Sequence, residues 1–504
     1  MKPDEESAQS IGVAGAKGVV WIGGRIVAIQ VINFATIAVL ARQLDIHAFG
    51  VVALANVALN LLEAIASNGV NQFIIFDRED NFQNRAKAAF WLNVLFGILA
   101  VTIGFMVAGP AARFFDEPEF QYVFQLMILR FPLEAMTRIF DAISHKELQF
   151  RNIEIRDTAI QFVSGGCSIA MALTGYGVWS IVVPMVLLSP IQVLVAAMGT
   201  RWRPGWNPGF QHWPRILRYA RNIVGSSLTS LILIHGDTIL VGKILGASLL
   251  GVYNLSWQVS NLVSRTIVNG GNKLFFPMLA AVGKQDGKMP NVLRGLLRTL
   301  SCITFPALVG LFVVADDFIL TVYGEKWSAA VLPLRILLVY AIRYSIGSPL
   351  GPVLKALGRP DLIFRTGLFA VPFYLTAVWY GCSYGIVGVA VGVTLVRTVV
   401  GSVLFVVVAR QLEVSTSSIL APVRSSILAA VSMGGVLYAI KLSLVGVLEV
   451  GGVAQLLVLV AGGVVIYLIG IRYVFRSVAC DYAELATRFL GKKAIYAHYI
   501  LNSK

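Results

Sequence analysis

The sequence predicts an all-α polytopic membrane protein with about fourteen transmembrane helices. Two observations support this prediction. The chain of 504 residues is 57% hydrophobic but only 13% charged, against roughly 25% charged residues in soluble domains. Apolar windows recur along almost the whole sequence, each near the ~20 residues with which an α-helix crosses ~30 Å of hydrocarbon. A soluble core cannot accommodate this much apolar surface, so lipid is the predicted solvent.

The predicted spans are joined by short connections and flanked by two polar segments. Residues 1–17 hold no apolar stretch followed by a cleavage site, so no removable signal peptide is evident. Residues 473–499 alternate apolar and basic positions, which predicts an amphipathic helix on the cytoplasmic membrane face. In order, the spans are 18–40, 48–74, 88–109, 121–144, 157–174, 178–199, 219–242, 249–282, 295–315, 330–354, 362–380, 386–409, 423–442 and 453–471.

The distribution of basic residues among the loops predicts the orientation of the chain. Cytoplasmic loops retain Lys and Arg, whereas translocated loops carry few of them. If the N-terminus is cytoplasmic, 28 basic residues fall on the cytoplasmic side and 5 on the outer side. This asymmetry places both termini in the cytoplasm. Most of the net charge of +15 therefore comes from basic residues in cytoplasmic loops and does not indicate nucleic-acid binding.

An internal repeat divides the chain into two related halves. Residues 41–72 and 242–273 align without gaps at an offset of 201, with nine identities in 32 positions. Each half holds six spans, an even number, so the halves are parallel repeats around a central cavity, an arrangement typical of transporters that work by alternating access. The predicted organisation is a segment 1–17, a six-helix lobe 18–200, a linker 201–218, a six-helix lobe 219–410, two further helices within 411–472 and a tail 473–504.

Charged residues inside the predicted spans are mostly basic. A charge at membrane depth costs roughly 2.5 kcal/mol or more, so such residues normally face protein or a water-filled cavity. An excess of four positive charges indicates an anionic ligand or an unusual structural reason. The basic residues are Arg25, Arg130, Arg138, Arg265, Lys273, Arg335, Arg343 and Arg397, and the acids are Glu63, Glu134, Asp141 and Asp237.

Four of these arginines are related by the repeat. At an offset of 205, Arg130 corresponds to Arg335 and Arg138 to Arg343. On a continuous helix the members of each pair share one face and lie ~12 Å apart in depth. Each half is therefore expected to carry a stripe with two arginines at different depths.

The acids distinguish the two stripes. Glu134 and Asp141 share the first stripe, whereas the corresponding positions of the second are Val339 and Ile346. One interpretation is structural, because buried charges are commonly paired and an ion-pair network would hold helices together. That interpretation suits the first stripe better, since the helix of Arg335 carries no acid.

The alternative interpretation is a cationic cavity for a substrate that bears phosphate. Guanidinium is always charged, and its forked donors match phosphate oxygens. The predicted pyrophosphate-binding residues are Arg130, Arg138, Arg335, Arg343, Arg25, Arg265 and Arg397, supported by the acids Glu134, Asp141 and Glu63.

Several stretches resemble one known family. "VLARQLDIHAFGVVALANVALNLLEAIASNGVNQFII", "GYGVWS", "DTILVGKILGASLLGVYN" and "VYGEKWSAAVLPLRILL" are similar to the Wzx-type polysaccharide transporters of the multidrug/oligosaccharidyl-lipid/polysaccharide exporter superfamily. The resemblance covers most of the chain. It implies a flippase in the bacterial inner membrane that moves undecaprenyl-diphosphate-linked oligosaccharide to the periplasmic leaflet, with membrane lipids, a polymerase and export machinery as expected partners.

The resemblance also implies a coupling ion. Asp237 lies near the outer end of the seventh span, and related exporters are thought to use an acid there for Na⁺ or H⁺. A membrane carboxylate can bind a hard cation with oxygen partners or carry a proton. The structural alternative is an ion pair that holds helices together. No other cofactor and no metal site is expected.

Two other functions are compatible with a chain of many apolar spans. A multidrug exporter of the same superfamily would need an acidic cavity for cationic drugs, opposite to the one predicted here. A membrane-integral glycan transferase or polymerase would need a large outer loop with catalytic carboxylates. The outer loops are short, and the acids at 113–120 and 316–318 are expected to be solvated. The four cysteines lack metal-ligand spacing, and no nucleophile motif is present.

Overall fold

The computed structural model describes residues 29–66, 68–76, 82–146, 150–282, 287–447 and 452–473, and the regular elements within these ranges are all helical. Helices are expected because each backbone N–H and C=O group must find a partner within its own segment when lipid surrounds it. The predicted polar segment 1–17, Arg25 and the tail beyond Tyr473 lie outside the described residues.

Eighteen α-helices are numbered in chain order within the described residues. Two short 3₁₀ turns, Phe210–His212 and Glu325–Ala330, connect some of them. The helices are α1 (Ile29–Gln43), α2 (Ile46–Ala66), α3 (Asn68–Phe76), α4 (Phe82–Phe115), α5 (Pro118–Ile128), α6 (Phe131–Lys146), α7 (Phe150–Leu173), α8 (Trp179–Met198), α9 (Trp213–Val282), α10 (Met289–Val313), α11 (Ala315–Val322), α12 (Val331–Gly347), α13 (Leu350–Ala356), α14 (Pro360–Cys382), α15 (Gly385–Gln411), α16 (Thr416–Leu420), α17 (Val423–Val447) and α18 (Val453–Tyr473).

The prediction of an all-α polytopic membrane protein is confirmed. Ten helices of the described part are long and apolar enough to cross a membrane, so the count of about fourteen spans stays a prediction. The connection expected between residues 242 and 249 is present, because α9 consists of two helices joined at Gly246, whose φ of 83° and ψ of 169° are not helical.

The predicted span 121–144 is wrong as a single helix, because the chain turns between α5 and α6 at Leu129 and Arg130. Pro132 explains the break. Proline lacks an N–H donor, and its ring clashes with the carbonyl of the residue four positions earlier, which is Ile128, the last residue of α5. The two arginines of the first stripe therefore do not lie on one continuous helix, whereas Arg335 and Arg343 both lie on α12.

The chain divides into two compact units. The N-terminal unit holds Ile32–Asn254 and Gly367–Val393, and the C-terminal unit holds Leu255–Thr366 and the chain from Thr394. One apolar core of the N-terminal unit is built from α3, α4, α6 and α8, with the indole of Trp202 packed into it. A core of the C-terminal unit is built from α10, α13, α15 and α17. The lobe boundaries predicted from the repeat remain a prediction.

Repeat-related residues meet inside the N-terminal unit, where α2 packs against the part of α9 that follows Gly246. A Cβ atom at Gly50 would overlap the carbonyl oxygen of Ala247, and a Cβ atom at Gly251 would overlap that of Ile46. Ile46 and Gly50 correspond to Ala247 and Gly251 at the offset of 201 residues. Because neither glycine has a side chain, the two backbones approach closely in a nearly symmetric contact.

Candidate functional site

The two candidate arginines of the N-terminal unit, Arg130 and Arg138, are paired with carboxylates. Arg130 Nε lies 3.1 Å from Glu134 Oε1, one helical turn away. Arg138 Nη1 lies 2.7 Å from Oε1 of Glu63 on α2. The side chains of these four residues are between 17% and 32% exposed, so both pairs are partly shielded from solvent. The positive charge of this set is therefore compensated locally.

The third supporting acid has a different partner from the one expected. Asp141 accepts two hydrogen bonds from Arg156, at 2.7 and 3.1 Å, and Arg156 also binds Asp157 at 2.7 Å. The side chain of Arg156 is only 4% exposed. Asp141 thus joins α6 to α7 and does not hold Arg130 or Arg138. From the sequence, Arg156 is expected in a cytoplasmic loop. Its burial could not be predicted, because it results from the packing of α7.

In the C-terminal unit, Arg335 belongs to a compensated cluster. Its Nη2 lies 3.1 Å from Asp316 Oδ1, and Lys441 of α17 lies 2.5 Å from the same oxygen and 2.6 Å from Asp317 Oδ2. The helix of Arg335 carries no acid, as expected, but Asp316 of α11 supplies one, so the ion-pair interpretation applies to Arg335 as well. Gln455 of α18 also donates to Asp317, at 3.1 Å.

The charge balance of this cluster shifts the titration of Asp316, which lies between α10 and α12 outside the candidate membrane spans. Partial burial raises the pKa of its carboxyl group. The hydrogen bond and charge of Lys441, with the charge of Arg335, have the larger combined effect, so the pKa lies below its ordinary value.

The outer acids expected to be solvated differ in exposure, since the side chain of Asp116 is 76% exposed whereas those of Glu117 and Asp317 are 15% and 16% exposed. Asp116 lies 2.7 Å from Lys243, and Glu117 accepts from His47 at 2.8 Å and from the backbone N–H of Ala247 at 3.2 Å. Together with Asp316 and Asp317, they connect helices that are distant in sequence. Sequence reasoning missed these roles, because short acidic stretches between apolar spans look the same whether or not a basic residue of another helix reaches them.

Arg343 has no carboxylate partner within the part of the chain that the structure describes. Its guanidinium carbon lies 4.6 Å from the centre of the Phe405 ring. Its Nη2 atom is buried and has no hydrogen-bond partner there. A Cβ atom at Gly401 would lie 2.8 Å from Nη2, and one at Gly347 would lie 3.0 Å from Nη1, so the two glycines make room for the guanidinium. An unpaired buried cation is costly, and a bound anion would remove that cost.

Arg397 lies close to the Arg343 helix on a pair of stacked rings. Its guanidinium carbon is 4.8 Å from the centre of the Trp257 ring and 5.3 Å from that of Tyr340. The two rings stack at 5.6 Å with an interplanar angle of 12°, and Arg397 Nη1 donates to the Tyr340 hydroxyl at 3.2 Å. Aromatic faces hold the guanidinium plane in place without neutralising its charge. The side chain of Arg265, like Arg25, is outside the described residues.

Asp237 is 2% exposed and is held by neutral donors among the described residues. The Tyr253 hydroxyl donates to Oδ2 at 2.7 Å, and the Thr238 backbone N–H donates to Oδ1 at 2.8 Å. This differs from the ion pair that was the structural alternative. Within the described part of the chain, no group of three or more His, Cys, Asp or Glu residues has the arrangement of a metal site.

Two solved structures share the fold of this chain. The chain matches the lipid II flippase MurJ in an inward closed conformation with a TM-score of 0.74 over 92% of this chain and 99% of that chain, at 12% identity. It matches an inward-facing MATE multidrug transporter of the MOP superfamily with a TM-score of 0.64 over 76% and 94% of the two chains, at 15% identity. The fold is that of this superfamily of membrane transporters.

The family follows from the sequence. The model of the family described as "Polysaccharide biosynthesis protein" matches residues 39–332, more than half of the chain, and the chain belongs to that family. It is 26% identical to the lipopolysaccharide biosynthesis protein WzxC of Escherichia coli K12, over 77% of this chain and 78% of that protein. It is 22% identical to the succinoglycan biosynthesis transport protein ExoT of Rhizobium meliloti 1021, over 70% and 72%. The chain is therefore a polysaccharide biosynthesis protein with helices long and apolar enough to cross a membrane.

Proposed function

We propose that the protein is a flippase for undecaprenyl-diphosphate-linked oligosaccharide repeat units, in the assembly of an exopolysaccharide, a capsule or an O-antigen. It moves them from the cytoplasmic to the periplasmic leaflet of the bacterial inner membrane, and both of its termini lie in the cytoplasm. The observation that carries the proposal is the guanidinium of Arg343, which is partly buried beside Phe405 without a carboxylate among the described residues. A pyrophosphate supplies oxygens that match its donors.

Alternating access of the duplicated halves is the proposed mechanism. Arg343 binds the pyrophosphate, and Arg397, which lies on the stacked rings of Trp257 and Tyr340, is a second ligand. Arg130, Arg138 and Arg335 are paired with acids and contribute a weaker attraction. Weak attraction suits a transport path, because an anion bound too tightly would not be released. Membrane lipids surround the transporter, and a polymerase and export machinery receive its product.

Asp237 is the proposed site of the coupling ion. Its carboxylate, the Tyr253 hydroxyl and the neighbouring Thr238 hydroxyl place oxygen atoms together in a buried position. Oxygen ligands suit Na⁺, and a buried carboxylate can also take up a proton. The names of the relatives support a polysaccharide precursor as cargo, since WzxC and ExoT are named for lipopolysaccharide and succinoglycan biosynthesis.

Translocation by the purified chain in proteoliposomes tests the proposal. A fluorescent undecaprenyl-diphosphate-linked glycan is placed in both leaflets, and its accessibility to an impermeant quencher is followed with and without Na⁺ or H⁺ gradients. We expect protein-dependent translocation that is faster than that of the same glycan on a neutral polyprenol. Efflux of cationic drugs without glycan translocation would favour a multidrug exporter, and chemical turnover of the glycan would favour a transferase.

A further inference from the structure

The loop of residues 199–212, which joins α8 to α9, is held firmly against the N-terminal unit. The indole N–H of Trp91 donates to the carbonyl of Gly205 at 2.8 Å, and that of Trp213 donates to the carbonyl of Pro208 at 3.1 Å. Trp202 is 5% exposed and packs within 6.0 Å of the rings of Phe90 and Phe140. These contacts fix the path of the loop on both sides of its tip.

Two large apolar side chains are nevertheless exposed at this tip, although the Trp206 ring lies 6.4 Å from that of Trp91 and the Phe210 ring 4.7 Å from that of Trp213. Trp206 is 92% exposed and Phe210 is 64% exposed. Hydrogen bonds and ring contacts hold the backbone that carries them, so their exposure is a defined feature of the loop. Tryptophan prefers the boundary between water and lipid, where the indole ring leaves water while its N–H stays hydrated. Phenylalanine contributes apolar surface to segments at this boundary.

The loop and the first turns of α9 also carry a concentrated positive charge. The stretch 199–221 contains five arginines and no acid. Arg215, Arg218 and Arg221 are exposed and spaced three residues apart, so they form a stripe along one side of the start of α9. Arg203 has a different role, because its Nη1 donates to the carbonyls of Ala197 and Thr200 and caps α8.

The position of the loop relative to the membrane follows from the neighbouring helix. α8 is one of the candidate membrane spans and ends at Met198, which is 78% exposed as expected for a side chain in lipid. The loop begins one residue later, so its tip lies within a short distance of the hydrocarbon boundary. This is the depth at which interfacial segments bury their apolar side chains.

We propose that residues 199–221 form an anchor on the membrane surface that binds anionic phospholipid headgroups. Trp206 and Phe210 enter the interface, and Arg201, Arg215, Arg218 and Arg221 bind lipid phosphates, since basic residues next to a span are attracted to an anionic leaflet. The anchor holds the N-terminal unit against the leaflet. It is independent of the transported substrate, and its test does not use transport.

Quenching of Trp206 by brominated lipids tests the anchor. The full-length protein and its Trp206→Phe variant are placed in nanodiscs with or without 30% phosphatidylglycerol, and the difference between their emission spectra gives the signal of Trp206. We expect lipids brominated near the headgroup to quench at least half of this signal in anionic nanodiscs, and clearly less in zwitterionic ones. The same measurement with Trp202→Phe, on the buried indole of the loop, should show little quenching.

Removing the arginine charges tests whether the loop binds anionic headgroups or only lies close to the lipid. Replacing Arg215, Arg218 and Arg221 by Gln should reduce the quenching in anionic nanodiscs to the zwitterionic level. A matched triple variant that replaces the exposed Arg359, Arg410 and Arg424 of the C-terminal unit should leave it unchanged.

If iodide in water quenches Trp206 and brominated lipids do not, the loop projects into the cytoplasm and the proposal is overturned in favour of a protein-docking surface. Equal quenching in both nanodiscs would overturn the role of the anionic headgroups.

Discussion

The repeat-related arginines of the two units differ in what balances their charge. In the N-terminal unit, Arg138 is bound to Glu63 at 2.7 Å. Its counterpart in the C-terminal unit, Arg343, contacts the Phe405 ring and has no carboxylate among the described residues. Two positions related by duplication therefore provide one compensated and one uncompensated cation. The difference teaches that the role of a membrane arginine depends on the helices packed against it as well as on its place in the repeat.

The largest expected effect comes from removing the uncompensated cation. Arg343→Met should slow translocation of the diphosphate-linked glycan by roughly 10- to 100-fold, the loss expected for a charge-assisted hydrogen bond worth about 1.5–3 kcal/mol. Thermal stability should stay equal or rise, because an unpaired buried charge is replaced by an apolar side chain of similar length. The proteoliposome assay and a thermal unfolding curve measure the two quantities.

The matched control for this variant is Arg138→Met. It removes the repeat-related arginine and its ion pair with Glu63, so it should lower stability and change translocation by less than about threefold. If both variants slow translocation equally, the distinction between compensated and uncompensated arginines is wrong.

A smaller effect is expected when a carboxylate is introduced between Arg335 and Arg343, at the position that corresponds to Glu134 in the first stripe. Val339 corresponds to Glu134 and lies four residues from both Arg335 and Arg343 on α12, with 51% exposure. Val339→Glu places a carboxylate within reach of both guanidinium groups. Translocation should fall roughly tenfold, as expected for about 1.4 kcal/mol of lost attraction for an anion. The neutral variant Val339→Gln should retain more than half of the wild-type rate, and an equal loss in both variants would contradict the electrostatic explanation.

The smallest effect is expected from protonating Asp316, which forms ion pairs with Arg335 and Lys441. The pKa of Asp316 is lowered in the folded protein, so its charge stabilises the fold above the pKa of the unfolded chain, near 3.8, and this contribution is lost as the pH falls through the lower folded pKa. Because Asp316 is 39% exposed, the loss should be below about 1 kcal/mol. Thermal unfolding in detergent between pH 6 and pH 3 measures it. Lys441→Met should weaken this pH dependence, and an unchanged profile would show that Lys441 does not hold Asp316 in its charged form.

Much of the architecture could be predicted from local pattern, but the partners of the charges could not. Apolar windows and the offset of 201 residues indicated a duplicated helical membrane protein, and Gly50 and Gly251 of that alignment do meet in the structure. The carboxylate that binds Arg335, in contrast, lies on α11, 19 residues earlier in the chain. Its second cation, Lys441, lies 125 residues further on. No helical periodicity connects residues at such separations.

Composition predicts lipid as the solvent and helices as the elements, and the spacing of residues predicts the repeat and the excess of basic residues at membrane depth. These are local properties of the sequence. The pairing of each described arginine with a carboxylate depends instead on the packing of the helices. Arg130 pairs within its own helical neighbourhood, whereas Arg138 pairs with a second helix and Arg343 is placed between Phe405 and two glycines. The physical reason is that the electrostatic energy of a buried charge depends on distances to groups brought together by packing, and those distances are set by the fold and not by the order of residues.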